Sequence, residues 1–101
     1  MHMTNPIFNL NKLFDSRVRL GILSSLMVNS KVNFIELKAL LGITDGNLAS
    51  HLKALEDNKI IAVHKGFIGR KTNTTYSITK AGQSQFKAHL AALEAMIKAV
   101  K

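Results

Sequence analysis

Thr44-Asp45-Gly46-Asn47-Leu48-Ala49-Ser50-His51-Leu52-Lys53-Ala54-Leu55-Glu56-Asp57-Asn58 reads as one helix with two working surfaces. Leu48, Leu52 and Leu55 recur at intervals of four and three, which places them along one side of an α-helix where they can be buried. Asn47, Ser50 and Lys53 lie on the opposite side with His51 on the flank, and each ends in a group that hydrogen-bonds base edges or phosphates. The leucine side anchors the helix, and the polar side is left as a reading face.

Working outward toward the N-terminus, Leu41-Gly42-Ile43-Thr44 has the character of a tight turn. Gly42 takes the positive φ of a helix C-terminus, Ile43 packs inward and Thr44 caps the reading helix. Asn33 and Glu36 have the spacing of a capping box ahead of Ile35, Leu37, Ala39, Leu40 and Leu41, so a helix should start after Asn33 and stop at Gly42. Ser30 to Asn33 is a polar break with room for one short strand. Asp15 is placed to cap a further helix, whose Val18, Ile22, Leu23, Leu26 and Met27 form an apolar stripe flanked by Arg17 and Arg19. Pro6, with Asn5 as N-cap, suits the first turn of a short helix carrying Ile7, Leu10, Leu13 and Phe14.

Toward the C-terminus, Ile60 to His64 is rich in β-formers, Gly66 to Lys71 is a basic loop, and Thr72 to Thr79 is threonine-rich, the pattern of a hairpin. Thr79 then caps a long helix in which Phe86, Leu90, Leu93, Ile97 and Val100 make a narrow heptad-like seam. Such a seam either covers the body of its own domain or pairs with a second copy; a narrow stripe on a terminal helix favours pairing, helped by the apolar first helix and its Phe8.

With 101 residues the chain is expected to form one domain: an N-terminal helix over 5–14, a core over 15–79 and a dimerisation helix over 80–101. Met1-His2-Met3 reads as a remnant ahead of a start at Met3. Fourteen Lys and Arg against six Asp and Glu give a formal charge of +8, which favours a polyanionic partner. No cysteine is present, so disulfides, thiolate zinc sites and cysteine nucleophiles are excluded, and a reducing, cytoplasmic setting is expected. Apolar runs fall well short of the ~20 residues of a membrane span. The carboxylates are few, the four histidines are dispersed, and no phosphate loop or catalytic triad is visible. No enzyme activity, metal or cofactor is therefore expected.

Helix, helix, turn, helix and a basic hairpin together give a mainly α fold of winged helix-turn-helix type. Three blocks, Asp15-Ser16-Arg17-Val18-Arg19-Leu20-Gly21-Ile22-Leu23, Thr44 to Glu56 and Ile78-Thr79-Lys80-Ala81-Gly82, resemble the compact winged-helix transcriptional regulators related to the MarR and ArsR types. The resemblance runs from about Leu13 to Phe86, and the middle block is its specific part. It implies a dimeric regulator whose 44–58 helix enters the major groove of DNA while the 66–71 wing meets the neighbouring minor groove or backbone. Metal-sensing members use cysteine-bearing helices, which this chain lacks. The sequence specifies neither an effector ligand nor an operator.

Within that frame Asn47 and Ser50 are the candidates for base readout, since an Asn amide pairs bidentately with adenine. Thr44 caps the helix and leaves backbone N–H groups for a phosphate. Asp45 either favours the helix dipole or accepts from a cytosine amine. His51 is either a phosphate contact or a partly buried polar residue, and Lys53 reaches the backbone. In the wing, Lys65, Arg70, Lys71 and Thr72 are the candidate contacts; residues 51–80 carry six basic and two acidic side chains. Phe8, Phe86, Leu90, Leu93, Ile97 and Val100 are the candidate dimer contacts. The function expected is a sequence-specific regulator of double-stranded DNA, a repressor binding an inverted repeat as a homodimer. The competing reading is a winged helix used for protein contacts in a larger assembly.

Overall fold

A computed structural model describes residues 6–100, apart from the side chains of Pro6 and Phe8. Two 3₁₀ turns, Pro6–Asn9 and Lys12–Phe14, lead into α1 (Arg17–Val28), β1 (Val32–Asn33), α2 (Phe34–Leu41), α3 (Asp45–Asp57), β2 (Ile61–Ile68), β3 (Lys71–Ile78) and α4 (Lys80–Ala99). The three strands form an antiparallel sheet in the order β1-β3-β2, with Val32 opposite Tyr76 and Ile61 opposite Ile78. This is the mainly α, winged helix arrangement.

Local chemistry explains most of the boundaries. Asn33 and Glu36 form a reciprocal capping box, closed by hydrogen bonds of 2.8 and 3.1 Å, and Gly42 ends α2 at φ 62°. Thr44 Oγ1 accepts from the Asn47 N–H at 3.2 Å and starts α3. α3 ends in a Schellman motif: the Ile60 N–H donates to the Leu55 carbonyl and the Lys59 N–H to that of Glu56. The left-handed position, usually glycine, is occupied by Lys59 at φ 60°. Thr79 ties the junction between sheet and α4, because its Oγ1 donates toward the Lys59 and Ile60 carbonyls and accepts from the Gly82 N–H at 2.9 Å.

The core joins Ile22, Leu23 and Leu26 of α1, Leu37 of α2, Leu48, Leu52 and Leu55 of α3, Ile60, Ile61 and Tyr76, and Phe14 with Phe86. Gly82 allows α4 to start against the sheet, since a Cβ there would collide with the Ile60 carbonyl oxygen.

Several expectations need correction. The segment 5–14 is not one helix but two short turns, because Asn11 adopts an extended backbone and its own Oδ1 caps the Leu13 N–H at 2.9 Å. The proposed N-cap Asn5 lies outside the described residues. Ser16, not Asp15, caps α1, its Oγ accepting from the Arg19 N–H. On α2 only Leu37 is fully buried, while Ile35 and Leu40 are exposed. The hairpin ladder runs on to Ile68 and Lys71, which shortens the wing loop to Gly69-Arg70. Phe86, expected on a dimer surface, is 1% exposed and packs edge-on against Phe14 with ring centroids 5.8 Å apart. The first position of the seam is thus sealed by the chain's own N-terminal segment.

Candidate nucleic-acid interface

The candidate interface combines α3 and the wing. With Leu48, Leu52 and Leu55 buried, Thr44, Asp45, Asn47, Ser50 and Lys53 are all exposed on α3. In the wing, Lys65, Arg70, Lys71 and Thr72 are likewise exposed. Cross-strand partners share a sheet face, so Lys65 with Thr74 and Phe67 with Thr72 continue the face that begins at Val63 and Tyr76. A shallow groove of about 260 Å³ connects this face to α3, lined by Ala49, Lys53, Glu56, Val63, Lys65 and Thr74 among others. The structure therefore brings Lys53 and Lys65 together across one groove, although twelve positions separate them in the chain.

Electrostatics separate the candidates. Between Asn58 and Leu93 no Asp or Glu occurs, so the whole wing is free of carboxylates. Asn47, Ser50, Lys65, Arg70 and Lys71 make no side-chain hydrogen bond or ion pair within the described residues, which leaves their donors for a ligand. Lys53 is paired with Asp57 one turn on at 2.9 Å, and that hydrogen bond, with the charge of the same carboxylate, holds its ammonium above the usual lysine value. Asp45 is neutralised by Lys38 of α2 at 2.8 Å. An exposed pair of this kind contributes little stability, but it removes much of the repulsion between Asp45 and a phosphate.

His51 is half-buried rather than open. Its Nδ1 accepts from Arg19 Nε at 3.0 Å, and Arg19 Nη1 donates to the Leu13 carbonyl at 3.1 Å. Burial, followed by the adjacent guanidinium, pushes the imidazole below its ordinary pKa. This histidine fastens α3 to α1.

The proposed dimer residues divide. Phe86 belongs to the core, Leu93 is half-buried, and Leu90, Ile97 and Val100 are exposed. Beside them lies a cleft of about 500 Å³ between the N-terminal turns, α1 and α4, lined by Leu10, Phe14, Leu20, His89 and Leu93 among others. His89 is 3% exposed, accepts from the Asn11 N–H at 3.0 Å and packs edge-on against Phe14. Burial lowers its pKa, and the charge of Asp15 partly opposes this.

Sequence reasoning identified the polar residues of α3 and the wing cations, because periodicity and composition expose both. It missed Lys38, Arg19, Asn11 and His89, whose partners are brought near only by the tertiary fold. It also passed over Phe67 and Ile68, which fall inside the segment read as a basic loop and are exposed on β2.

Residues 18–97 match the family model described as winged helix DNA-binding domain. The chain is 38% identical over 79 residues to an uncharacterised protein of Methanocaldococcus jannaschii, covering 78% of this chain and 86% of that one. Among solved structures it is similar to a transcriptional regulator homologue from Pyrococcus horikoshii OT3, with a TM-score of 0.87 and 30% identity over 97% of this chain and 99% of that one. It is also similar to the putative transcriptional regulator ytfH of Salmonella typhimurium, with a TM-score of 0.68 and 28% identity over 86% and 76% of the two chains. A MarR family regulator of Enterococcus faecalis V583, at 20% identity and TM-score 0.69 over 86% and 83% of the two chains, shares the fold. No helix among the described residues is long and apolar enough to cross a membrane. The chain belongs to the winged helix DNA-binding domain family and is a winged helix transcriptional regulator.

Proposed function

We propose that this chain is a single domain that binds double-stranded DNA sequence-specifically as a homodimer on an inverted-repeat operator and acts as a repressor. The observation that carries the reading is the exposed polar side of α3 beside a groove shared by Lys53 and Lys65, together with a wing without carboxylates. In it α3 enters the major groove with Asn47 and Ser50 at base edges, while Lys65, Arg70 and Lys71 hold the backbone.

The dimer reading is supported by shape and by exposure. The radius of gyration is 15.6 Å, against about 13 Å for a compact chain of this length, and the long axis spans 63 Å. Leu90 and Ile97 lie on one side of α4 at heptad spacing, with 42% and 72% exposure, where a second copy would bury them. A twofold pair of reading helices about one DNA turn, ~34 Å, apart dictates a palindromic site.

Selection of bound duplexes from a random pool tests the proposal, and a palindromic consensus is the expected result. Asn47→Ala should relax preference at one base pair by roughly 1–3 kcal/mol, whereas Arg70→Ala should weaken all duplexes alike and reduce the salt slope by about one. Failure to bind any duplex, or binding indifferent to salt, would shift the reading to a protein-contact module.

A further inference from the structure

Phe67 and Ile68 are adjacent, large and apolar, and they are 73% and 67% exposed at the end of β2. Neither has a core to enter, because the hairpin from His64 to Thr72 is exposed throughout. Successive strand residues point to opposite faces, so one apolar side chain lies on each side of the ribbon. Phe67 shares its face with Lys65 and Thr72, and Ile68 shares the other with Lys71. A two-residue turn follows, with Gly69 at φ 62°, as a II′-type hairpin demands at its first position, and it presents Arg70 at the tip. An apolar edge strand of this length invites aggregation unless something covers it.

We infer that the wing tip is an apolar wedge: Phe67 inserts at a base step in the minor groove and partly unstacks it, while Lys65, Arg70 and Lys71 hold the flanking phosphates. The inference rests on the DNA-binding reading proposed above and adds the mode of engagement. Complementarity of charge selects the occupant, since three cations and no carboxylate surround the two apolar side chains. The groove lined by Lys65 and Lys53 favours a duplex over other anionic surfaces, because it continues the sheet face of Phe67 to α3, and one long polyanion can follow both. Apolar wedges of this type kink the duplex and favour steps that unstack easily. Pyrimidine–purine steps are the most deformable, so the wing selects sequence where it makes no base hydrogen bond.

The test uses the full chain and its selected duplex, with 2-aminopurine placed in turn at each step flanking the α3 contacts. Binding of the unaltered chain should raise fluorescence at one step, a TA or CA/TG step. Phe67→Ala should abolish that rise, remove the preference for a flexible step and weaken the selected duplex about tenfold. The same variant should keep both the consensus read by α3 and the salt slope, and Phe67→Leu should retain part of the rise. Phe67 is exposed, so circular dichroism spectra of these variants should match the parent. A bound duplex without enhanced fluorescence at any step, or a rise unchanged by Phe67→Ala, overturns the wedge. Binding to anionic vesicles that Phe67→Ala abolishes, with duplex affinity untouched, overturns it in favour of a lipid surface. Absence of any duplex binding, seen by anisotropy before fluorescence is consulted, overturns the function reading and the wedge together.

Discussion

Two residues show how backbone geometry constrains this chain most tightly. Gly82 sits where the first turn of α4 presses on the Ile60 carbonyl, so a methyl group has no space to occupy and the atom in its way is backbone. Gly82→Ala should lower stability by about 2–3 kcal/mol, the upper range for overpacking, which urea unfolding followed by circular dichroism would measure. Lys59 is the opposite case. It holds the left-handed position of the Schellman motif at φ 60°, where any side chain is strained. Lys59→Gly should raise the unfolding midpoint by an amount equivalent to about 0.5–1 kcal/mol, since relief of strain exceeds the added flexibility of the unfolded chain. A lowered midpoint would mean that the Lys59 side chain makes a compensating contribution in the folded state.

Elements whose ends are written in side chains three residues apart were legible in the sequence. The Asn33–Glu36 box, the Gly42 stop, and the Thr44 and Thr79 caps all follow from contacts that the chain makes with itself over one turn. The same locality made the leucine side of α3 readable and, with it, the polar side of the candidate interface. The N-terminal segment was not readable, because Asn11 serves two elements at once: its Oδ1 caps the Leu13 N–H while its own N–H donates to His89. No periodicity records the second contact, and Phe86 was misplaced because periodicity cannot reveal that Phe14 covers it. Thr79 offers a test at this scale. Its hydroxyl serves α3's end, the sheet and α4 together, so Thr79→Ala should cost about 2 kcal/mol, against about 1 kcal/mol for Thr44→Ala, which loses a single capping bond. Equal losses in urea unfolding would show that the shared junction adds nothing beyond an ordinary cap.

At the scale of the whole molecule, two lowered histidine pKa values contribute to the pH response. His51 and His89 both hold fewer protons when folded than when unfolded, between their depressed pKa and the ordinary value of 6.5. Where the unfolded state binds more protons, stability rises with pH. The contribution is therefore complete above about pH 6.5 and is lost as the solution is acidified below it. Urea midpoints should fall from pH 7 to pH 5, and His89→Gln, which keeps an acceptor for the Asn11 N–H, should flatten that fall. Assembly provides the second test: under the proposed homodimer, Ile97→Glu should give a monomer in sedimentation, with a circular dichroism spectrum unchanged, because Ile97 is exposed on its own chain.

The guanidinium of Arg19 grips His51 with one nitrogen and the Leu13 carbonyl with another, so three elements share a single rivet. Whatever tugs the leading segment outward slackens the seat of the groove-facing helix as well, and the signal needs no other wire. Arg19→Lys keeps the charge but cannot form that fork. Amide hydrogen exchange should then quicken at Lys12–Phe14 and along Asp45–Asp57 in step, while exchange in Lys71–Ile78 stays as it was.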